Sequence, residues 1–170
     1  MARHVIFDVE TTGFSPSRGD RVIEIGAVAV EGGVVVAEFS SLIDAGRRIP
    51  LQAQRVHGIS NAMLAGQPFP EEVFPRFHEF VSGAVLVGHN VRFDVDFVRH
   101  EFGRLGLGLN NHVLCTLELS RRHFPLLPNH RLETVARNIL GGLPEVMTLH
   151  RALDDARLTA RVWLAMMQMV

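Results

Sequence analysis

Runs of apolar and β-branched residues open the chain and predict strands. Residues 4–9 and 22–30 form two such runs, and the adjacent glycines Gly32 and Gly33 predict a hairpin turn into a third strand over residues 34–42. Three strands joined in succession by short turns form an antiparallel meander. The first part of the chain is therefore predicted to be an all-antiparallel unit.

The apolar spacing then changes to that of helices. Pro50 and Pro68 bracket one or two short helices within residues 49–65. Longer helices are predicted over residues 71–81, 91–102, 117–123, 131–140 and 149–169, with short buried strands over residues 84–87 and 113–116. Strands followed by strands interleaved with helices predict an α/β domain with a mixed sheet. No repeat or linker divides the chain, so residues 1–170 are predicted to form one domain.

The composition is that of an ordinary globular protein, with 47% hydrophobic and 21% charged residues. No apolar run is long enough to span a membrane and no signal-peptide pattern opens the chain, so we expect a cytoplasmic protein without a membrane partner. The single cysteine, Cys115, excludes an internal disulfide. All 17 basic residues are arginine and the net charge is -1, which neither indicates nor excludes a nucleic-acid partner.

Two acids, Asp8 and Glu10, lie at the end of the first strand. Because side chains alternate along a strand, residues two apart share one face. Two neighbouring carboxylates in a poorly solvated site need a positive partner, and the chain has no lysine and places Arg3 at the far end of the strand. A divalent cation is the simplest positive partner for these carboxylates, and oxygen ligands suit Mg²⁺ or Mn²⁺.

Glu24 lies inside the second apolar strand and is interpreted as a structural charge paired with an arginine.

Helical periodicity separates inward from outward acids in two of the predicted helices. Asp96 shares a face with arginine and histidine, whereas Asp94 shares its face with apolar residues. In the last helix Asp154 aligns with arginines three and seven residues on, and Asp155 aligns with apolar residues. Asp94 and Asp155 are therefore predicted to face inward, with His150 near the start of the last helix.

Four inward acids, Asp8, Glu10, Asp94 and Asp155, are thus candidates to converge near His150. This set suits two-metal phosphoryl transfer, in which two divalent ions about 4 Å apart activate a water molecule and stabilise the developing negative charge. Histidine, whose ordinary pKa is near neutrality, is the natural general base for that water.

Three segments resemble the three exonuclease motifs of the DEDDh branch of 3'-5' exonucleases, and within it the proofreading epsilon subunits of bacterial DNA polymerase III. These segments are residues 8–13, residues 88–90 with Phe93 and Asp94, and residues 150–155. Residues 56–59, 115–117 and 130–132 also resemble the connecting motifs of that family, in the same order. The resemblance extends over essentially the whole chain.

This resemblance implies a ribonuclease H-like fold, with a five-stranded mixed sheet flanked by helices. It implies that Asp8, Glu10, Asp94 and Asp155 bind two Mg²⁺ or Mn²⁺ ions and that His150 is the general base. It further implies that a set of nearby residues holds the 3'-terminal nucleotide: Thr11, Thr12, His57, Asn90 and Phe93. Thr11 and Thr12 also fit turn positions, His57 also fits a structural loop histidine, and Phe93 also fits a core position on an amphipathic helix.

Three functions follow as hypotheses. The first is a proofreading-type exodeoxyribonuclease that releases nucleoside 5'-monophosphates from single-stranded or frayed 3' ends of DNA. The second is an exoribonuclease that acts on RNA ends or short oligoribonucleotides, and the third is a non-catalytic polymerase accessory module. The chain ends at Val170, where epsilon subunits continue into a polymerase-binding tail, so a stand-alone enzyme, a subunit that docks on a DNA polymerase catalytic subunit, and an excised domain all stay open.

Overall fold

The computed structural model of the chain describes residues 2–143 and 150–169. The strands in this part of the chain are β1 (His4–Thr11), β2 (Val22–Glu31), β3 (Val34–Leu42), β4 (Val85–Gly88) and β5 (Val113–Cys115). The helices are α1 (Leu51–His57), α2 (Asn61–Leu64), α3 (Pro70–Val81), α4 (Arg92–Arg104), α5 (Thr116–His123), α6 (Leu132–Leu140) and α7 (Ala152–Met167), with one 3₁₀ turn at Pro16–Arg18. None of these helices, in the described ranges, has the length and apolarity needed to cross a membrane.

The strands form one five-stranded mixed sheet in the order β3-β2-β1-β4-β5. The β1–β2 and β2–β3 pairs are antiparallel, and the β1–β4 and β4–β5 pairs are parallel. The prediction of an antiparallel meander followed by strands interleaved with helices is therefore confirmed. Since β1 and β4 are parallel neighbours, their carboxyl ends lie at the same edge of the sheet.

The two faces of the sheet are covered by different helices. Alternate residues of β1, including Val5 and Phe7, pack against apolar residues of α3 and α4 in the largest core cluster. Ile6 belongs to the opposite face, where it packs with Val28 of β2 and Trp163 of α7. Because side chains two residues apart share a face, Asp8 and Glu10 lie on the α7 side with Ile6.

The boundaries differ from the predictions by a few residues at two functional places. β1 continues through Glu10 to Thr11, because these residues stay paired with β2. α7 begins at Ala152, so His150 precedes the helix. The predicted start of that helix at Leu149 lies outside the described residues.

Glycine is required where β4 ends and turns toward α4. A Cβ atom on Gly88 would lie 2.7 Å from Cγ2 of Val91 and 3.3 Å from the carbonyl oxygen of Phe7. This close approach brings the first turn of α4 against the end of β1. As a result, Asp94 in that turn lies beside the acids of β1.

Candidate active site

The first two acids lie on one face of β1, and each is paired with a residue directly opposite it on β2. In the antiparallel register Asp8 lies opposite Gly26 and Glu10 lies opposite Glu24. Directly opposite residues of an antiparallel pair point to the same face, so all four positions face α7. The end of the β1–β2 pair therefore brings several carboxylates under the first turn of α7.

Asp155 joins this pair from α7, as its helical face predicts. Asp8, Glu10 and Asp155 each offer a carboxylate oxygen, and these three oxygens lie within 4.8 Å of one another. Asp155 is 9% exposed, whereas Asp154 points to the surface, where its Oδ1 accepts a hydrogen bond of 3.2 Å from Arg157. The structure thus places Asp155, and not its neighbour, in the acidic group.

Asp94 approaches the same group from α4. It is 3% exposed, and its Oδ1 accepts a 3.1 Å hydrogen bond from the backbone N–H of Val9. Burial raises the pKa of Asp94 to about 8 and the charge of Asp155 adds to this shift, while the charge of Asp94 adds to the effect of burial in raising the pKa of Asp8. Asp96, two residues on, pairs with Arg99 at 3.6 Å at the surface. Asp94 therefore lies beside the group of three carboxylates, and one of its oxygens is hydrogen-bonded to the backbone of β1.

Burial and like charge hold all four acids toward their protonated forms. Burial is the first cause of the high pKa of Asp8, and the neighbouring charges of Asp94, Glu10 and Asp155 add to it. Burial together with Asp155 and Glu24 raises the pKa of Glu10 to about 9. Burial raises the pKa of Asp155 to about 6, although the backbone N–H of His150 opposes the shift. Four carboxylates therefore share a site that lacks enough positive charge within the described residues.

The donor set fits divalent metal ions. All four candidate ligands supply carboxylate oxygens, which suit Mg²⁺ and Mn²⁺. One buried oxygen, Oδ1 of Asp155, has no hydrogen-bond partner among the described residues, although its Oδ2 accepts a hydrogen bond from the N–H of His150 at 3.0 Å. An unpaired buried carboxylate oxygen is costly unless a cation or a donor meets it.

We expect the stability of the metal-free protein to fall as the pH rises from about 5 to about 9. In this range the unfolded chain has already released the protons of these acids, whereas the folded chain keeps them because the pKa values of Asp8, Glu10 and Asp94 are raised. The unfolded state then binds fewer protons, so higher pH favours it. Thermal unfolding in EDTA across this pH range, and again with Mn²⁺, measures the effect.

Addition of Mn²⁺ should raise the melting temperature most at the alkaline end of the series, since the ion binds the ionised acids. The same titration on an Asp155→Asn variant should give a smaller rise. A melting temperature that is independent of both pH and Mn²⁺ would contradict the assignment of this group as a cation site.

His150 lies beside the acids just before α7. Its backbone N–H donates to Oδ2 of Asp155 at 3.0 Å, and its side chain is exposed toward a groove that Asp8 and Asp155 also line. Its backbone has φ of 61°, in the left-handed region that non-glycine residues rarely adopt. The main chain of His150 is therefore fixed against the acidic group, while the residue as a whole is exposed at the groove.

Asn90 is the second described non-glycine residue with positive φ, at 63°. It lines the same groove as His150, which has a volume of about 850 Å³. Residues in sparsely populated backbone conformations cluster at functional sites. The structure thus places two of the predicted site residues, on different loops, at one groove and in unusual backbone conformations.

The other predicted substrate-binding residues line a second groove, which Glu10 also lines and which has a volume of about 610 Å³. This volume lies within the range of about 300–1,000 Å³ that is usual for small-ligand sites. Thr11, Thr12, His57 and Phe93 line it. Asp8 and Asp155 line the first groove and Glu10 lines the second, and the predicted nucleotide-binding residues are divided between the two grooves.

The hydroxyl groups of the two threonines stabilise their own loop. Oγ1 of Thr11 donates to the carbonyl oxygen of Gly13 at 2.6 Å. Oγ1 of Thr12 accepts a hydrogen bond from the N–H of Arg21 at 3.0 Å and lies 3.3 Å from Asp20. These hydroxyl contacts are typical of turn residues, and both threonines also line the groove.

His57 is 5% exposed, and its Nδ1 accepts a 3.0 Å hydrogen bond from the N–H of Ile59. The ring proton of the neutral form therefore belongs to Nε2, which has no hydrogen-bond partner among the described residues. Burial lowers the pKa of His57, so the neutral form is favoured. His57 combines a structural role in the loop after α1 with one unused donor.

Two residues of the site are missed by sequence reasoning. Phe14 is 91% exposed and lines the groove of Thr11 and His57. The sequence signal for Phe14 is a bulky aromatic residue directly after a turn glycine, a position where burial in the core does not explain it.

Arg151 is the arginine that pairs with Glu24, and the distance from its Nη2 to Oε1 of Glu24 is 2.7 Å. The sequence indicates that Glu24 needs an arginine but does not identify which.

Comparison with known proteins identifies several relatives. The model of the RNase_T exonuclease family matches residues 5–163. The chain is 41% identical over 165 residues to the DNA polymerase III subunit epsilon of Aquifex aeolicus, covering 96% of this chain and 80% of that protein. It is 42% identical over 159 residues to the PolC-type DNA polymerase III of Clostridium perfringens, of which it spans 11%.

Solved structures agree on the fold. Exonuclease X in complex with 5' overhanging duplex DNA superposes with a TM-score of 0.76 and 29% identity, over 99% of this chain and 92% of that chain. Exonuclease I of E. coli in complex with a dA16 oligonucleotide has a TM-score of 0.85 over 99% of this chain and 41% of that chain. At 19% identity the second comparison supports the ribonuclease H-like fold alone.

Proposed function

The chain belongs to the RNase_T exonuclease family, and from this membership we propose that it is a metal-dependent 3'-5' exodeoxyribonuclease. It would release nucleoside 5'-monophosphates from single-stranded or frayed 3' ends of DNA. The observation that carries this proposal is the group of carboxylate oxygens of Asp8, Glu10 and Asp155 within 4.8 Å, beside buried Asp94 and exposed His150.

Two Mg²⁺ or Mn²⁺ ions would be held by Asp8, Glu10, Asp94 and Asp155. When bound, such ions supply Lewis acidity and offset the negative charge that develops on a phosphodiester during hydrolysis. The protein contributes a preorganised set of oxygens, because the β1–β2 register, the turn at Gly88 and the start of α7 fix where the four side chains meet. Side chains held in this way by paired strands and a helix start would need little reorganisation when substrate binds.

His150 would accept the proton of the attacking water at its imidazole. Its ring is exposed to the groove shared with Asp8, which gives it access to water and substrate. The N–H bond to Asp155 leaves the ring free for this role, since the contact uses only the backbone. General-base catalysis of this kind contributes about 10²- to 10⁴-fold to the rate.

The groove beside Glu10 would hold the terminal nucleotide. Its apolar walls include Phe14, Val56 and Phe93, and exposed aromatic rings stack on bases without sequence preference. The backbone of the loop at residues 11–13 borders the same groove and offers polar groups to a sugar or phosphate. His57 adds one unpaired ring nitrogen at the inner wall.

DNA is the favoured substrate because the Aquifex aeolicus relative, of which the chain covers 80%, is named as a DNA polymerase subunit and Exonuclease X is described with DNA. RNA is the alternative, and contact or clash with the 2'-OH decides between them. Two observations disfavour the non-catalytic accessory hypothesis: the chain belongs to an exonuclease family, and the four acids of the motifs and His150 are all present.

We further propose a DNA polymerase catalytic subunit as the partner. The single domain over residues 1–170 and the cytoplasmic location stay predictions.

We expect a 5'-labelled single-stranded DNA oligomer to be shortened from its 3' end into a ladder in the presence of Mn²⁺ and to stay intact in EDTA. An RNA oligomer of the same sequence, in the same buffer, should be shortened at least about 5-fold more slowly, because loss of one polar contact changes the activation free energy by about 1–3 kcal/mol. Faster cleavage of RNA would move the substrate assignment to RNA. Cleavage of neither oligomer would contradict the proposed activity.

A further inference from the structure

Glu24 is a fifth acid at the active site, but its environment differs from that of the other four. It is 3% exposed and lies directly opposite Glu10 in the β1–β2 register. Both of its oxygens are occupied, since Nε of Arg151 lies 3.0 and 3.1 Å from them and Nη2 of Arg151 lies 2.7 Å from Oε1. Glu24 is therefore a paired charge beside the candidate metal ligands and not one of them.

The same carboxylate also fixes the beginning of α7. Oε2 of Glu24 accepts a 3.0 Å hydrogen bond from the N–H of Ala152, the first residue of the helix. Arg151 at the N-cap supplies no side-chain cap, so Glu24 of β2 provides an acceptor that the local sequence lacks. A negative charge at this helix end is also favoured by the helix dipole.

The helix start and β2 are in direct backbone contact two residues further along the strand. A Cβ atom at Gly26 would lie 2.2 Å from the backbone nitrogen of Leu153 and 2.4 Å from the carbonyl carbon of Ala152. Glu24 and Gly26 share one face of β2. The same strand therefore supplies the hydrogen-bond acceptor for the first N–H of α7 and, at Gly26, the space in which the helix backbone packs. The first turn of α7 is thereby fixed in translation and rotation against the sheet.

His150 lies between two anchors. Its own N–H is bonded to Asp155, and the residue that follows it is bound by Glu24 through three side-chain contacts. With φ at 61°, its backbone is in a conformation that needs support from its surroundings. A shift of Arg151 would therefore be passed directly to the imidazole of His150.

We infer that Glu24, acting through Arg151, is a positioning residue that sets where the imidazole of His150 meets the attacking water. This inference rests on the proposed function of His150. Displacement of a catalytic group by about 1 Å can reduce a rate by about 10²-fold, so the ion pair would affect turnover without touching the substrate. Asp8, Glu10 and Asp94 have their own anchors on β1 and α4, and the close approach of α7 to Gly26 keeps Asp155 in place when the Glu24 contact is lost.

Glu24→Gln should lower kcat by about 10- to 100-fold, change KM by less than about 3-fold and leave the Mn²⁺-dependent rise in melting temperature in place. Arg151→Lys should show the same pattern, because lysine keeps the charge but lacks the two-pronged geometry of arginine. Steady-state kinetics on the DNA oligomer measures the first two quantities. In metal-free protein, hydrogen exchange of the His150 amide should become faster in both variants.

The matched control is Glu38→Gln. Glu38 of β3 also receives a two-pronged arginine of α7, with Nε and Nη2 of Arg157 at 2.9 and 2.7 Å, but this pair lies at the surface. Its substitution should leave kcat within about 2-fold of the wild-type value, because exposed ion pairs contribute little.

A double-mutant cycle separates positioning from general structural damage. If Glu24 acts through His150, Glu24→Gln should have almost no further effect on kcat in a His150→Ala background. Equal losses in both backgrounds, an unchanged kcat in a folded Glu24→Gln protein, or loss of the Mn²⁺-dependent stabilisation would each overturn the inference. Failure of the wild-type protein to cut DNA or RNA would instead contradict the proposed function, whereas the His150 amide exchange would still test the structural link.

Discussion

Replacement of Asp8 by asparagine is expected to reduce exonuclease activity by about 10³-fold or more while making the metal-free protein more stable. The activity falls because Asp8 is one of three residues whose carboxylate oxygens lie within 4.8 Å. The stability rises because folding buries Asp8 beside Asp94 and Glu10, which raises its pKa well above the ordinary value, and the neutral amide removes this penalty. Oligomer cleavage and thermal unfolding in EDTA measure the two effects.

The matched control for Asp8→Asn is Asp96→Asn. Asp96 is an acid of the same size on the surface of α4, with its charge paired to Arg99 at 3.6 Å. We expect this variant to keep full activity and to change the free energy of unfolding by less than about 0.5 kcal/mol. An Asp8→Asn protein that degrades DNA at the normal rate would contradict the metal-ligand role of Asp8. A lower melting temperature of that variant in EDTA would contradict the proposed repulsion.

The acids could be selected from sequence because their positions depend on local periodicity. Two residues along a strand return to the same face, which places Asp8 with Glu10. Residues three and four apart share a helix face, which separates buried Asp94 from exposed Asp96 and Asp155 from Asp154. These patterns need no knowledge of the tertiary fold, and the observed burial confirms each of them.

The partners of these residues could not be selected in the same way, since they are distant in sequence. Glu24 and Arg151 are 127 residues apart, and on chemical grounds any of the 17 arginines could be the partner of Glu24. The added length of β1 likewise depends on pairing with β2 through Glu10 and Thr11, with a shift in register between them. Such contacts are set by the packing of the sheet against α7 and leave no periodic signal.

The division of the substrate-binding residues between two grooves is also a tertiary feature. Thr11 and Thr12 follow β1 directly, so their proximity to Glu10 is evident from sequence. Asn90 follows β4, a parallel neighbour of β1, and reaches the groove on the side of Asp8 and His150. His57 ends α1 and reaches the opposite groove. Asp8 and Asp155 thus line one groove together with His150, and Glu10 lines a second groove together with aromatic and aliphatic side chains.

Replacement of His150 by alanine is expected to lower kcat by about 10²- to 10⁴-fold, the usual contribution of a general base. KM should change little, since the exposed ring contacts water rather than the bound nucleotide in the proposed mechanism. The Mn²⁺-dependent rise in melting temperature should persist, because Asp8, Glu10 and Asp155 keep their positions and alanine retains the backbone N–H that donates to Asp155. Kinetics on a DNA oligomer and unfolding with Mn²⁺ measure these quantities.

His100→Ala is the matched control, since His100 is an exposed histidine on α4 whose ring Nδ1 lies 2.8 Å from the backbone carbonyl oxygen of Asp96, away from the acids. It should retain wild-type kcat. Added imidazole should restore part of the activity of His150→Ala, because a small base can enter the exposed position that the ring leaves, and it should not stimulate Asp8→Asn. A His150→Ala enzyme with normal kcat would contradict the general-base role of His150. Loss of Mn²⁺ binding together with activity would instead indicate that His150 binds the cations.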